Sequence, residues 1–149
     1  MQRFTKYVFL FWIVLLPLVC TSQEWVDNYD TAIALAKEKE QPIVMVFSGS
    51  DWCGPCILMD KKIWQTETFK EYASDNLIML KVDFPKKKAN QLSKELQEQN
   101  NKLARKYNRK GYIPLVVVLN AKGKVLGTTG FERKMSPETL IELLKSFES

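Results

Sequence analysis

The chain has 149 residues, 46% of them hydrophobic and 26% charged, which suits one compact domain with a core and excludes disorder as the default. It contains no histidine, which rules out Ser-His-Asp and Cys-His catalysis and removes the commonest metal ligand. The net charge is +5, but the lysines are scattered or gathered on one polar stretch without interleaved aromatics, so no nucleic-acid partner is expected.

Residues 1–22 read as a signal peptide. Arg3 and Lys6 form a positive start, Tyr7 to Leu16 is an apolar run, and Pro17 breaks it. Cys20-Thr21-Ser22 offers small residues for cleavage before Gln23, and losing the segment would leave a net charge of +3. Two alternatives stay open. The segment could be retained as an N-terminal membrane anchor, although it is shorter than the ~20 residues a span prefers. Cys20 could instead carry a lipid, although Pro17, Leu18 and Val19 match a lipobox poorly. Each alternative places the domain, residues 23–149, in the periplasm or cell envelope, where disulfides are the working chemistry.

Trp25 to Glu40 is predicted as one helix, with Ala32, Ile33, Leu35 and Ala36 at helical spacing and Asp30 or Asn28 as its cap. Pro42 stops it. Ile43 to Phe47 is a continuous apolar run, as expected of a strand buried on both faces. Ser48 to Asp51 is a loop leading to Trp52-Cys53-Gly54-Pro55-Cys56. Cys56 to about Ser74 is predicted as a long helix with an irregularity near Gln65-Thr66 and an inner face of Ile57, Met59 or Asp60, Ile63, Trp64, Phe69 and Tyr72. Leu77 to Val82 is the next buried strand. Lys81 inside it is either an edge residue reaching for solvent or a functional charge.

Lys86-Lys87-Lys88 opens the polar part of the chain, read as a loop followed by an amphipathic helix from about Asn90 to Tyr107. The triplet is either a solvated face or a docking patch for an acidic partner. Ile113-Pro114 precedes the apolar strand Leu115 to Leu119, where proline fixes a turn and admits a cis peptide. Asn120 to Gly123 is a hairpin turn and Val125 to Thr129 returns antiparallel. Ser136 caps a final helix with Pro137 at its first position, burying Leu140, Ile141, Leu143, Leu144 and Phe147.

The cysteines decide the chemistry. Cys53 and Cys56 lie between a strand and a helix, the context of a redox pair. A helix N-terminus favours an anion, so a thiolate at Cys53 is stabilised there. A zinc site would need two more ligands, and the only other cysteine is Cys20, so no metal is expected. A purely structural disulfide remains the other reading.

The motif Trp52-Cys53-Gly54-Pro55-Cys56 is identical to the active-site sequence of thioredoxins, and the element order resembles the α/β thioredoxin fold, a central mixed β-sheet with helices on both faces. The resemblance covers roughly residues 24 to 149. It implies that Ile113-Pro114 brings a cis-proline against the cysteines, that Lys81 is the strand lysine near the site, and that Gly130 lines the substrate groove. It further implies thiol–disulfide exchange by Cys53 and Cys56, supported by Lys81, with substrate contacts from Trp52, Gly54, Pro55, Ile113, Pro114 and Gly130. Gly54-Pro55 matches the dipeptide of reducing thioredoxins. No cofactor beyond the cysteine pair is expected. The implied partners are disulfide-containing clients and an upstream thiol reductant, with the chain acting as a monomer. Phe47 to Cys53 resembles exported thioredoxin-like proteins more than the cytosolic ones.

Three positions depart from the family pattern. Val46 stands where thioredoxins carry a buried aspartate, Leu115 replaces the threonine after the proline, and residues 84–101 form a longer segment. Two further functions remain open on the same fold. A thiol peroxidase would want an arginine and a threonine near Cys53, and neither precedes it. A non-catalytic binding module would use the disulfide only as a staple.

Overall fold

The computed structural model describes residues 23–148. The signal or anchor segment and Cys20 lie outside the described residues. Five strands form one mixed sheet: β1 (Trp25–Val26), β2 (Ile43–Ser48), β3 (Ile78–Asp83), β4 (Leu115–Leu119) and β5 (Val125–Thr129), in the order β1-β3-β2-β4-β5. The first three are mutually parallel, and β4 and β5 add antiparallel.

Alternation along β2, β3 and β4 divides the core into two layers. Val44, Val46, Met79, Val116 and Val118 face one cluster. It is completed by Met59, Ile63, Trp64, Phe69, Ala73, Leu140, Ile141 and Leu144 from the helices α2 (Gly54–Met59), α3 (Glu67–Asn76) and α5 (Pro137–Ser146) and the turn before α3. Ile43, Met45, Phe47, Ile78, Leu80, Val82, Val117 and Leu119 face the other, against Ala32 and Ala36 of α1 (Tyr29–Lys39) and Leu103 of α4 (Lys94–Tyr107). The apolar runs are continuous because both faces of the sheet are covered.

Several boundaries differ from expectation. Trp25–Val26 is an edge strand rather than the start of a helix; Asn28 caps α1 by accepting from the Thr31 N–H at 2.9 Å. The expected long helix after the cysteines is three pieces. α2 runs into a π-helical stretch, Asp60–Trp64, closed by a hydrogen bond from the Gln65 N–H to the Asp60 carbonyl. Thr66 then caps α3. Ile57, expected on the inner face, is 50% exposed, because the inner stripe runs through Cys56 and Met59 instead. The last helix of the polar part begins at Lys94 rather than Asn90, since Ser93 caps it and Lys88–Asn90 is a separate short 3-10 turn. In α5, Leu140, Ile141 and Leu144 are buried, while Leu143 and Phe147 are half-buried.

Lys81 is exposed although both its neighbours in the strand are buried. β1 pairs with β3 only at Met79 and Leu80. One residue further on, that flank of β3 is open, and the long lysine stem emerges there.

Candidate active site

The end of β2 and the loop behind it deliver the cysteines. The Gly49 carbonyl accepts the Trp52 and Cys53 N–H groups at 3.2 and 2.8 Å, which folds the loop back on itself. Cys53 is the N-cap of α2, and Pro55 falls in the first turn, where its missing N–H has no helical partner to lose. Cys53 and Cys56 form a disulfide with Cα atoms 5.2 Å apart.

The two sulfurs are unequal, though not in exposure: in the disulfide Cys53 is 6% and Cys56 4% exposed. The asymmetry lies in hydrogen bonding. The Cys56 backbone N–H donates to Cys53 Sγ at 3.3 Å, one of the unpaired donors of the helix start. On reduction the same donor and the helix dipole favour negative charge on Cys53.

Trp52 is 43% exposed and fixed on three sides. Its Nε1–H donates to the Phe84 carbonyl at 2.7 Å, the Lys86 ammonium lies 3.9 Å from the ring centroid, and Gly49 leaves room for the indole edge. Gly54 and Pro55 are exposed beside it.

β4 begins opposite Phe47, so Ile113-Pro114 lies at the same end of the sheet as the cysteine loop. The Ile113–Pro114 peptide is cis, and both residues are half-buried. Gly130 follows the partner of Val116; a side chain there would stand 3.8 Å from the Pro114 carbonyl. Asn108, which sequence reasoning missed, is buried and clamps this segment. It donates to the Tyr112 carbonyl at 2.7 Å and accepts the Tyr112 N–H at 3.0 Å.

Lys81 and Cys56 line one cleft of about 370 Å³, together with Val46, Ser48, Ser50 and Asp60. Val46 pairs with Lys81 across β2 and β3 and is buried, so the strand carries no acid there. The cleft's carboxylate is Asp60, one turn beyond Cys56 on the helix side.

Two other acids hold the loop. The Asp51 carboxylate accepts the Lys86 and Lys87 N–H groups, both at 2.9 Å, and the Asn90 amide at 3.0 Å. The Lys86 N–H bond is the largest influence holding its pKa below the usual carboxylate value. Asp83, also missed, is a buried carboxylate that accepts from the Ser50 N–H at 2.8 Å and from the Ser50 hydroxyl. The two-residue step from Met79 through Lys81 to Asp83 was the available signal. Among the described residues no group of three or more His, Cys, Asp or Glu side chains is placed to hold a metal ion.

Comparison with known proteins agrees with this geometry. A family model described as thioredoxin-like matches residues 24–121. The chain is similar to the disulfide bond reductase DsbH of Chlamydia pneumoniae, 37% identical over 116 residues, which are 78% of this chain and 68% of that protein. Among solved structures it resembles a DsbH oxidoreductase, with a TM-score of 0.77 and 28% identity, covering 99% of this chain and 94% of the other. It also resembles a disulphide isomerase from Xylella fastidiosa Temecula1, with a TM-score of 0.59 and 26% identity, covering 80% and 88% of the two chains.

Proposed function

The chain belongs to the thioredoxin-like family, and from that premise we propose that it reduces protein disulfides in the cell envelope through the Cys53–Cys56 couple. The observation that carries the reading is the disulfide at the N-terminus of α2, with the Cys56 N–H directed at Cys53 Sγ. In the reduced protein Cys53 is the thiolate. It attacks one sulfur of a client disulfide; a new S–S bond forms between Cys53 and the client, and the other client sulfur leaves as a thiolate. Cys56 then loses its proton and attacks Cys53 Sγ. The client leaves with two thiols once its sulfurs are protonated, and the protein keeps the Cys53–Cys56 disulfide. The electron pair has moved from the cysteines to the client, so no further cofactor is required. An upstream thiol reductant restores the dithiol by the reverse exchange.

Trp52, Gly54, Pro55, Ile113, Pro114 and Gly130 form the rim on which an extended client segment is held by main-chain hydrogen bonds. Lys81 acts on the resolving step: it shares the cleft with Cys56, where its positive charge favours a thiolate. Similarity to DsbH supports both the reducing direction and an exported location. The export reading rests further on residues 1–22. No helix among the described residues is long and apolar enough to cross a membrane.

Insulin reduction in the presence of dithiothreitol tests the reading. The wild type should accelerate precipitation and Cys53→Ser should not. Cys56→Ser should accumulate mixed disulfides with clients, because resolution is blocked. A wild type that leaves the dithiothreitol rate unchanged would make the disulfide a staple and refute the proposal.

A further inference from the structure

We propose that Lys86, Lys87 and Lys88 select clients that carry acidic residues beside the disulfide to be reduced. The inference rests on the exchange reading above and names its preferred substrate. The triplet is not a loosely solvated run. Asp51, two residues before Cys53, fixes the backbones of Lys86 and Lys87 and the side chain of Asn90. Trp52, the residue next to Cys53, binds the Phe84 carbonyl and carries the Lys86 ammonium over its ring. A second strap ties the base of the same segment to the loop. Asp83 holds Ser50, and the buried Asn100 of α4 donates to the Asp83 carbonyl at 2.9 Å. The segment 84–90 is therefore anchored to the active-site loop at residues 50, 51 and 52.

The charge balance at this edge is positive. None of the three lysines makes an ion pair among the described residues. Asp51 turns its carboxylate to the Lys86 and Lys87 backbone N–H groups and the Asn90 amide rather than to a lysine ammonium. Asp83 is buried against Ser50. Across the site, Tyr112, 60% exposed beside Ile113-Pro114, has the Lys110 ammonium 5.9 Å from its ring centroid. Trp52 on the rim and Tyr112 next to it thus each present an ammonium. A cation on an aromatic face keeps most of its hydration and remains free to meet a carboxylate. At ordinary ionic strength its field reaches about 8 Å, enough for the residues flanking a client disulfide seated at Cys53 but not for the whole client.

The test uses the full chain and two synthetic peptides, each with one internal disulfide. They differ only in bearing Glu or Lys on either side of the cysteines. Rates are normalised to those with dithiothreitol, which removes the effect of the flanking charges on intrinsic disulfide reactivity. The wild type should favour the Glu peptide about tenfold in kcat/KM at low salt, and the ratio should fall to about two at high salt and in Lys86→Gln/Lys87→Gln/Lys88→Gln. A ratio near one in the wild type, or a preference that survives both the triple substitution and high salt, overturns the proposal. Hydroxyethyl disulfide, uncharged, separates the two failures. If the wild type reduces it and the peptide ratio is one, only the selectivity falls. If the wild type reduces neither it nor the peptides, the exchange reading falls and the selectivity with it.

Discussion

In the folded state, replacing Gly49 with alanine should act through Trp52. The backbone at Gly49 is not left-handed, so alanine is conformationally allowed. Its methyl, however, would overlap Cε2, Nε1 and Cζ2 of the indole, and the ring must move. Moving it breaks the 2.7 Å bond to the Phe84 carbonyl and lifts the ring from the Lys86 ammonium. The hydrogen bond contributes about 0.5–1.5 kcal/mol and an exposed cation–π contact about 0.5–1 kcal/mol, so the two together are about 1–2.5 kcal/mol. Alanine also restricts the unfolded chain, which offsets the loss by about 0.4–1 kcal/mol. A double-mutant cycle with Trp52→Ala separates these effects, read from urea unfolding of the oxidised protein by far-UV circular dichroism. In the wild-type background Gly49→Ala should destabilise or be near neutral. In the Trp52→Ala background it should stabilise by about 0.4–1 kcal/mol, giving a coupling of about 1–2.5 kcal/mol. An equal effect in both backgrounds would show that the indole is not what the glycine accommodates.

Lys81→Met should shift the pH–rate profile of disulfide reduction to higher pH and slow release of the mixed disulfide, since the cleft beside Cys56 loses its positive charge; an unmoved profile would remove Lys81 from the resolving step. Asp51→Ala should free the 84–90 segment, raising hydrogen exchange at the Lys86 and Lys87 amides. Because the folded pKa of Asp51 is lowered, its stabilisation is present above the unfolded carboxyl pKa and is lost as pH falls through the folded value. The stability difference between wild type and Asp51→Ala should therefore shrink in acid, and a difference that persisted there would contradict the carboxylate's role. Phe69→Ala should cost about 3–5 kcal/mol in urea unfolding, as Phe69 is fully buried with its ring centroid 4.7 Å from that of Trp64; a loss below about 1 kcal/mol would mean the core closes over the vacancy.

The layers of this fold were legible because β2, β3 and β4 are short, mostly apolar runs that follow Pro42, Asn76 and Pro114. A strand covered on both faces has little alternative composition. β1 was not legible. Two residues, Trp25 and Val26, carry no period, and Trp25 fits the start of a helix as well as an edge pairing that places it 5.8 Å from Trp64, centroid to centroid. The cysteine pair, the strand lysine and the proline were readable as a pattern, whereas the loop's anchors were not. Asp51 and Asp83 act on backbone groups far away in the chain, and a carboxylate's partner across such a span leaves no local mark; Asn108 holds the backbone of Tyr112 close by, inside a loop that carries no period. Asp60 is the opposite case, since it follows Cys56 by one helical turn and that spacing puts both on the cleft side.

The turn from Asp60 to Trp64 works as an angular adjuster. An α-helix advances about 100° per residue, and a stretch bonded from residue 65 back to residue 60 holds one residue more than a regular turn. Its surplus lets Ile63 and Trp64, adjacent in the chain, both enter the core while Cys56 faces the cleft. Lys61 and Lys62 are exposed and open to substitution, but the number of residues in the turn is not free to change. Deleting one would restore an unbroken helix and swing Trp64 out of the core or Cys56 away from its cleft. A surface that tolerates any spelling here is bound to one length.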